Sequence, residues 1–223
     1  GMINTLPKIA VVGGTGALGS GLAFRWAAKG YAIVIGSRSS EKGEAAAAAL
    51  RDRVPSGTVT GTGNTEAASE ADIVVLTVPY AHHGATLDQI KDVVGGKIVV
   101  DTTVPLVPPK VARVQLSDDW PVAGTTQSIL GDNVAVVSAF HNVAATHLQE
   151  DGDHDDGDVL VYGNSNDARE TVIGLVEAAG LHGWHAGSIH NSVVSEALTS
   201  VLIFINKKYK IDGAGIRIIG DQA

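Results

Sequence analysis

The chain has no cysteine. That excludes disulfides, thiolate catalysis and thiolate-held metals together. Aromatic residues fill only 4% of the 223 positions, against 44% hydrophobic overall. A core must therefore be built mostly from Ala, Val, Ile and Leu, which suits a parallel sheet covered by helices. Basic charge is scarce as well: 16 Lys and Arg against 24 Asp and Glu leave a formal net charge of -8. There is no Lys/Arg-rich run, so neither nucleic acid nor an anionic membrane is an expected partner. No apolar run reaches membrane-spanning length and no signal-peptide pattern opens the chain, so a soluble cytoplasmic protein is expected. A chain of this length supports one or two domains.

What is present begins with Ile9-Ala10-Val11-Val12, a short apolar strand. It runs into a Gly-rich turn in which Gly14, Gly16 and Gly19 have the G-x-G-x-x-G spacing of a dinucleotide-binding βαβ unit. In such a unit one glycine allows the tight turn, the next lets the backbone approach a pyrophosphate, and the third permits close helix–strand packing. A helix starting near Ala17 aims free N–H groups and its positive dipole end at the phosphates, and Thr15 adds a hydroxyl donor. A second strand arrives about 20 residues later, where an NAD-binding unit carries an acid for the ribose 2′-hydroxyl. Here the residues are Gly36-Ser37-Arg38. A guanidinium and a hydroxyl in place of the acid, with Lys42 one helical turn on, point to the 2′-phosphate of NADP.

Strand and helix signals alternate along the chain. Strands are expected at 8–12, 32–36, 59–61, 72–78, 97–103, 133–140, 159–163 and 181–186. Helices are expected at 17–29, 40–53 with Ser40 as its cap, a short one capped by Asn64, one running to about residue 94, and at 125–130, 168–179 and 191–208. The alternation predicts an α/β fold, a Rossmann-type doubly wound and mostly parallel sheet with a small C-terminal α/β capping part. The division expected is residues 1–135 for the NADP-binding part and 136–223 for the rest, whose strands could extend the same sheet. Residues 104–123 gather Pro105, Pro108, Pro109 and Pro121 in a long loop at a strand's carboxyl end, where open α/β sheets bind ligands.

Other candidates follow the strand ends. Val78-Pro79-Tyr80 with His82 and His83 comes after the fourth strand, where a dinucleotide would pass its ribose, and Tyr80 could cover a ring face. The two adjacent histidines are not a metal site without a third ligand. His141 comes at the end of Ser138-Ala139-Phe140 and is the one candidate for a catalytic role, bonding a bound ring or buffering a proton. The acidic run from Glu150 through Asp151, Asp153, Asp155 and Asp156 to Asp158 lacks the EF-hand register and reads as a solvated loop. No metal is expected. On the residues alone three functions stand: hydride transfer to a flat flavin-like acceptor, NADP-dependent reduction of a small carbonyl or imine, and a non-enzymatic NADP-binding regulator.

The stretches Val12–Gly19, Gly36–Lys42 and Leu76-Thr77-Val78-Pro79 together resemble the NADPH:coenzyme F₄₂₀ oxidoreductases. Lys97-Ile98-Val99-Val100, Val104-Pro105, Val137–His141, Ala186-Gly187-Ser188, Asn191-Ser192 and Glu196-Ala197-Leu198-Thr199 extend the likeness over nearly the whole chain. The dinucleotide part is also similar to that of metalloreductases that reduce a flavin and then iron. The resemblance implies NADP on the Rossmann part and a deazaflavin, coenzyme F₄₂₀, or a flavin as co-substrate. By matched position Thr15, Gly16, Ala17 and Leu18 would meet the pyrophosphate. Ser37, Arg38 and Lys42 would hold the 2′-phosphate, and Tyr80, Gly84, Val104 and Ala145 would lie near the nicotinamide. The reaction implied is hydride transfer between nicotinamide C4 and deazaflavin C5. It also implies a homodimer or larger assembly, for which the apolar last helix offers an interface.

Overall fold

The computed structural model describes residues 5–150 and 157–223. Most of the acidic run, positions 151–156, lies outside them. The apolar tetrapeptides become the centre of a sheet. Strands β1 (Ile9–Val12) and β4 (Ile73–Leu76) are buried at every position, as expected for parallel strands covered on both faces. Around them lie β2 (Ile33–Ser37), β3 (Val59–Gly63), β5 (Ile98–Asp101) and β6 (Ala135–Ser138). Two more strands, β7 (Asp158–Gly163) and β8 (His182–His185), complete eight among the described residues, in the order β3-β2-β1-β4-β5-β6-β7-β8. Pairing is parallel except that β7 runs antiparallel to β6, with Val137 opposite Gly163 and Ser138 opposite Tyr162. Residue 136 falls inside β6, and the sheet continues through it into β7 and β8.

Helices α1 (Ala17–Ala28), α2 (Ser40–Arg53) and α6 (Asn166–Ala178) pack with one apolar cluster, which includes Leu22, Trp26, Ala47, Val172 and Leu175. A second cluster takes Ala67 and Ala68 of α3 (Asn64–Glu70), Leu87 and Ile90 of α4 (His83–Ile90), and Ala123 and Leu130 of α5 (Val122–Leu130). The last helix, α7 (Val193–Tyr209), buries Ser195, Glu196, Ser200 and Leu202. Two of the scarce aromatics, Trp26 and Phe140, sit where layers meet. Trp26 is fully buried, donates its indole N–H to Leu175 O at 2.8 Å, and meets Phe140 edge-on at 5.9 Å. Arg25 ties α1 to the later chain by donating to the carbonyls of His147, Leu148 and Ala179.

Two cap expectations are corrected. Ser39, not Ser40, caps α2, its hydroxyl accepting from Lys42 N–H at 3.2 Å. Asn64 is the first residue of α3 and not its cap: Gly63 holds the cap position with no side-chain bond, and the Asn64 amide donates to Gln89 Oε1 at 3.0 Å. The order β3-β2-β1-β4 places a topological switch point between β1 and β4, and ligands of open α/β sheets bind outside the carboxyl ends there.

Candidate active site

The turn after β1 is fixed by glycine at two places. Gly13 has φ +75°, the left-handed region, and a Cβ there would run into the Val78 side chain. A Cβ on Gly19 would sit 2.5 Å from Thr77 Oγ1 and 2.8 Å from Gly14 Cα. Gly19 thus performs the close helix–strand packing that the spacing predicts, while the tight turn belongs to Gly13, one residue before Gly14. The N–H groups of Gly13 and Gly14 both donate to Gly36 O, at 3.0 and 3.2 Å, which locks the turn to β2. Helix α1 then begins with Gly16 at its cap, no side-chain capping bond and no acid in its first turn. Its leading N–H groups are left for an anion.

At the end of β2, Ser37 is buried and Arg38 is exposed. Neither the Arg38 guanidinium nor the exposed Lys42 ammonium has a hydrogen bond or ion pair among the described residues. Two uncommitted cations stand where the second strand leaves the sheet.

A cleft of about 680 Å³ opens over these strand ends. Thr15, Gly16, Ala17, Leu18, Ser37, Arg38, Val78, Pro79, Tyr80 and Val104 all line it. Asn64, Thr77, Thr102, Thr103, Leu106, Pro108 and Val111, none assigned a binding role from the sequence, line it too, the last three from the 104–123 loop expected at a ligand site. Gly14 and Gly19 lie beneath it as packing residues, and Lys42 stands outside its wall. Gly84 faces a neighbouring cavity of about 200 Å³, shared with Tyr80, His83, Ser117 and Val122. Ala145 lies beside Gly21 of α1, its carbonyl 3.5 Å from where a Cβ on that glycine would be. The cleft's lining fits an NADP molecule: an uncapped helix N-terminus, the free Arg38 guanidinium at one end, and an apolar far end. Buried polar atoms without partners, Asn64 Oδ1 and Thr103 Oγ1, belong to residues of the same wall.

Behind the far end is a buried acid to which the sequence assigned no role. Asp101, the last residue of β5, accepts from His83 Nε2 at 2.9 Å, from Thr103 N–H at 3.0 Å and from the Thr126 hydroxyl at 2.5 Å. Burial alone would raise its pKa, but these bonds outweigh burial and hold the carboxyl down at about 2. The signal was an acid closing the apolar run Ile98-Val99-Val100. His83, which the sequence placed only as one of two adjacent histidines after the fourth strand, is 5% exposed because it belongs to this cluster.

His141 is placed differently from the sequence expectation. It does not line the cleft but is 6% exposed inside a polar chain. Its Nε2 lies 2.6 Å from Ser138 Oγ, which lies 2.6 Å from Ser192 Oγ, which donates to Glu196 Oε2 at 2.5 Å. Burial pushes the imidazole pKa down to about 4, with Asp101 pulling weakly the other way. The strand end does aim toward the ligand side, but α7 covers it, and that helix lies more than 50 residues further on.

A switch-point cleft with a glycine turn, an uncapped helix and a cationic rim defines a dinucleotide-binding protein of the Rossmann class. A family model described as NADP oxidoreductase, coenzyme F420-dependent, matches residues 8–105. The F420-dependent NADP reductase of Methanocaldococcus jannaschii is 41% identical over 219 residues, covering 95% of this chain and 97% of that protein. The F420-dependent NADP reductase of Methanothermobacter thermautotrophicus is 36% identical over 221 residues, covering 95% and 94%. A solved structure from Arthrobacter sp. FB24, 24% identical, shares the fold with a TM-score of 0.78 over 97% of this chain and all of that one. The chain belongs to the F420-dependent NADP reductase family, a family of oxidoreductases.

Proposed function

We propose that the protein transfers a hydride between NADP(H) and coenzyme F₄₂₀. The observation that carries this is a single cleft running from the unpaired Arg38 past the α1 N-terminus to an apolar pocket at Tyr80 and Val104. When bound, the nicotinamide carries the hydride at C4 and the deazaflavin accepts it at C5. The protein's part is to hold two flat rings face to face in a dry space, since positioning, not proton transfer, governs such a step.

The residues divide that work. The N–H groups from Thr15 to Leu18 and the α1 dipole hold the pyrophosphate. Ser37 and Arg38 bond the 2′-phosphate, and Lys42 adds a point charge. Tyr80 and Val104 border the ring end, and Val78, Leu106, Pro108 and Val111 exclude water there. His141 acts as a structural link, not as a proton donor. Reduction of a small carbonyl would need a donor, and that reading rested on His141. Residues 136–223, whose strands β7 and β8 extend the sheet, add nothing to the cleft's lining and support its ring end from behind. Two copies pair through the α7 face on which Val194, Val201 and Phe204 are exposed, by 58%, 42% and 57%.

The test is a single-turnover titration of the NADPH-loaded protein with coenzyme F₄₂₀, FMN and a panel of small ketones and imines. Rapid loss of NADPH absorbance with the deazaflavin alone is expected. Turnover of a carbonyl but not of F₄₂₀ would refute the proposal.

A further inference from the structure

The segment 104–121 lies in the longest stretch without strand or helix among the described residues, yet it forms a wall of the cleft through Val104, Leu106, Pro108 and Val111. It holds neither strand nor helix. Something must fix its two ends. At its start, Thr103 N–H donates to the Asp101 carboxylate. At its end, the N–H of Val122 donates to Glu196 Oε1 at 2.6 Å, and that of Ala123 reaches Oε2 at 3.4 Å. Val122 and Ala123 are the first turn of α5, which has no cap of its own at Pro121. A carboxylate from α7, more than 70 residues away, does the work of a capping residue. Helix α5 then presses Thr126 onto Asp101 and His83, next to Tyr80.

We propose that Glu196 is a positioning residue for hydride transfer: by capping α5 it anchors the far end of the 104–121 wall, against which the nicotinamide end of the cofactor rests. This rests on the function proposed above. Glu196 is 2% exposed, and every polar contact it makes is a donor pointing at it. Those donors also fix the direction of the chain to His141. Ser192 donates its proton to Glu196, so Ser138 must donate to Ser192, and His141 Nε2–H must donate to Ser138. The carboxylate therefore sets the His141 tautomer from a distance.

Two variants test this in the full chain. Glu196→Ala removes the cap. Binding of 2′,5′-ADP, which engages only the glycine turn and Arg38, should stay within about twofold of wild type. NADPH affinity, or kcat for F₄₂₀ reduction, should fall by about fivefold, the usual cost of a lost cap. Glu196→Gln keeps an acceptor for Val122 N–H but turns a donor toward Ser192. Most of the lost activity should return, while the chain reverses and ¹⁵N NMR finds His141 Nε2 without its proton. Wild-type NADPH binding and turnover in Glu196→Ala would overturn the proposal. So would an equal loss of 2′,5′-ADP binding, which would mean general damage. If wild type fails to reduce F₄₂₀ at all, the function proposed above falls, while the two binding assays still decide the role of Glu196.

Discussion

Replacing Arg38 by alanine isolates the feature that separates NADP from NAD. The guanidinium is exposed and bound to no protein group, so its removal should leave the fold untouched. A hydrogen bond to a charged partner contributes about 1.5–3 kcal/mol. Exposure argues for the lower half of that range, because water and salt screen the pair. At about 1.4 kcal/mol per tenfold, NADPH affinity should drop roughly 10- to 40-fold. NADH, which lacks the phosphate, should bind the variant as it binds wild type. Calorimetry with both dinucleotides at low salt reads the ratio directly. Raising the ionic strength to about 1 M shortens the screening length to about 3 Å and should narrow the wild-type preference as well. Equal losses for the two dinucleotides, or a wild type that holds NADH as tightly as NADPH, would refute the assignment of the 2′-phosphate to this residue.

Gly19→Ala should lower the melting temperature by a few degrees and weaken NADPH together, since its methyl would overlap Thr77 Oγ1 and overpacking costs about 1–3 kcal/mol. Asp101→Asn should cost about 2–4 kcal/mol, roughly 5–15 °C by scanning fluorimetry, because an amide turns a donor toward groups that already donate. A wild-type melting point in either variant would contradict the packing described. His141 makes a pH prediction. Its folded pKa of about 4 lies below the usual 6.5, so between those values the unfolded chain binds a proton that the folded one refuses. Stability should therefore fall as pH drops from about 6.5 to 4, by on the order of 3 kcal/mol from this residue. Glu196, raised by burial, acts with the opposite sign, so the measurement is the difference between wild type and His141→Gln in urea melts across that window. Parallel curves would contradict the buried neutral imidazole.

The parts of the molecule that were legible in the sequence are those encoded by neighbours. The glycine turn, the strand before it and the cations after β2 lie within about 35 residues, and each obeys a local rule: a period, a backbone angle, a charge. One local error, taking the tight turn from the Gly14-x-Gly16 spacing when Gly13 makes it, came from a run of two glycines that spacing alone does not order. The cap of α2 slipped by one residue for the same reason, with Ser39 and Ser40 adjacent. His141 could not be placed locally. Whether a strand-end side chain reaches the ligand depends on what covers it, and here the cover is α7 with Glu196, together with Ser192 just before it. Asp101 and Glu196 did leave a trace, as single acids among apolar or small neighbours, since a buried carboxylate survives only where donors converge on it.

The contrast between the two ends of the cleft follows from what each must do. The phosphate end needs charge and open backbone, which a short turn supplies unaided. The ring end needs neither. It needs a wall that stays in place while two planar groups approach, and a segment without regular structure cannot hold itself. A loop of this length forms few internal bonds; Gln115 donating to the carbonyls of Val107 and Lys110 is among the few seen here. Its rigidity must come from its ends. Asp101 anchors one end from the sheet and Glu196 anchors the other from the last helix. The C-terminal part therefore acts on the reaction without touching the cofactor. Changes at α7 should alter the chemical step more than the binding of the phosphate half, and that asymmetry separates a positioning role from a merely stabilising one.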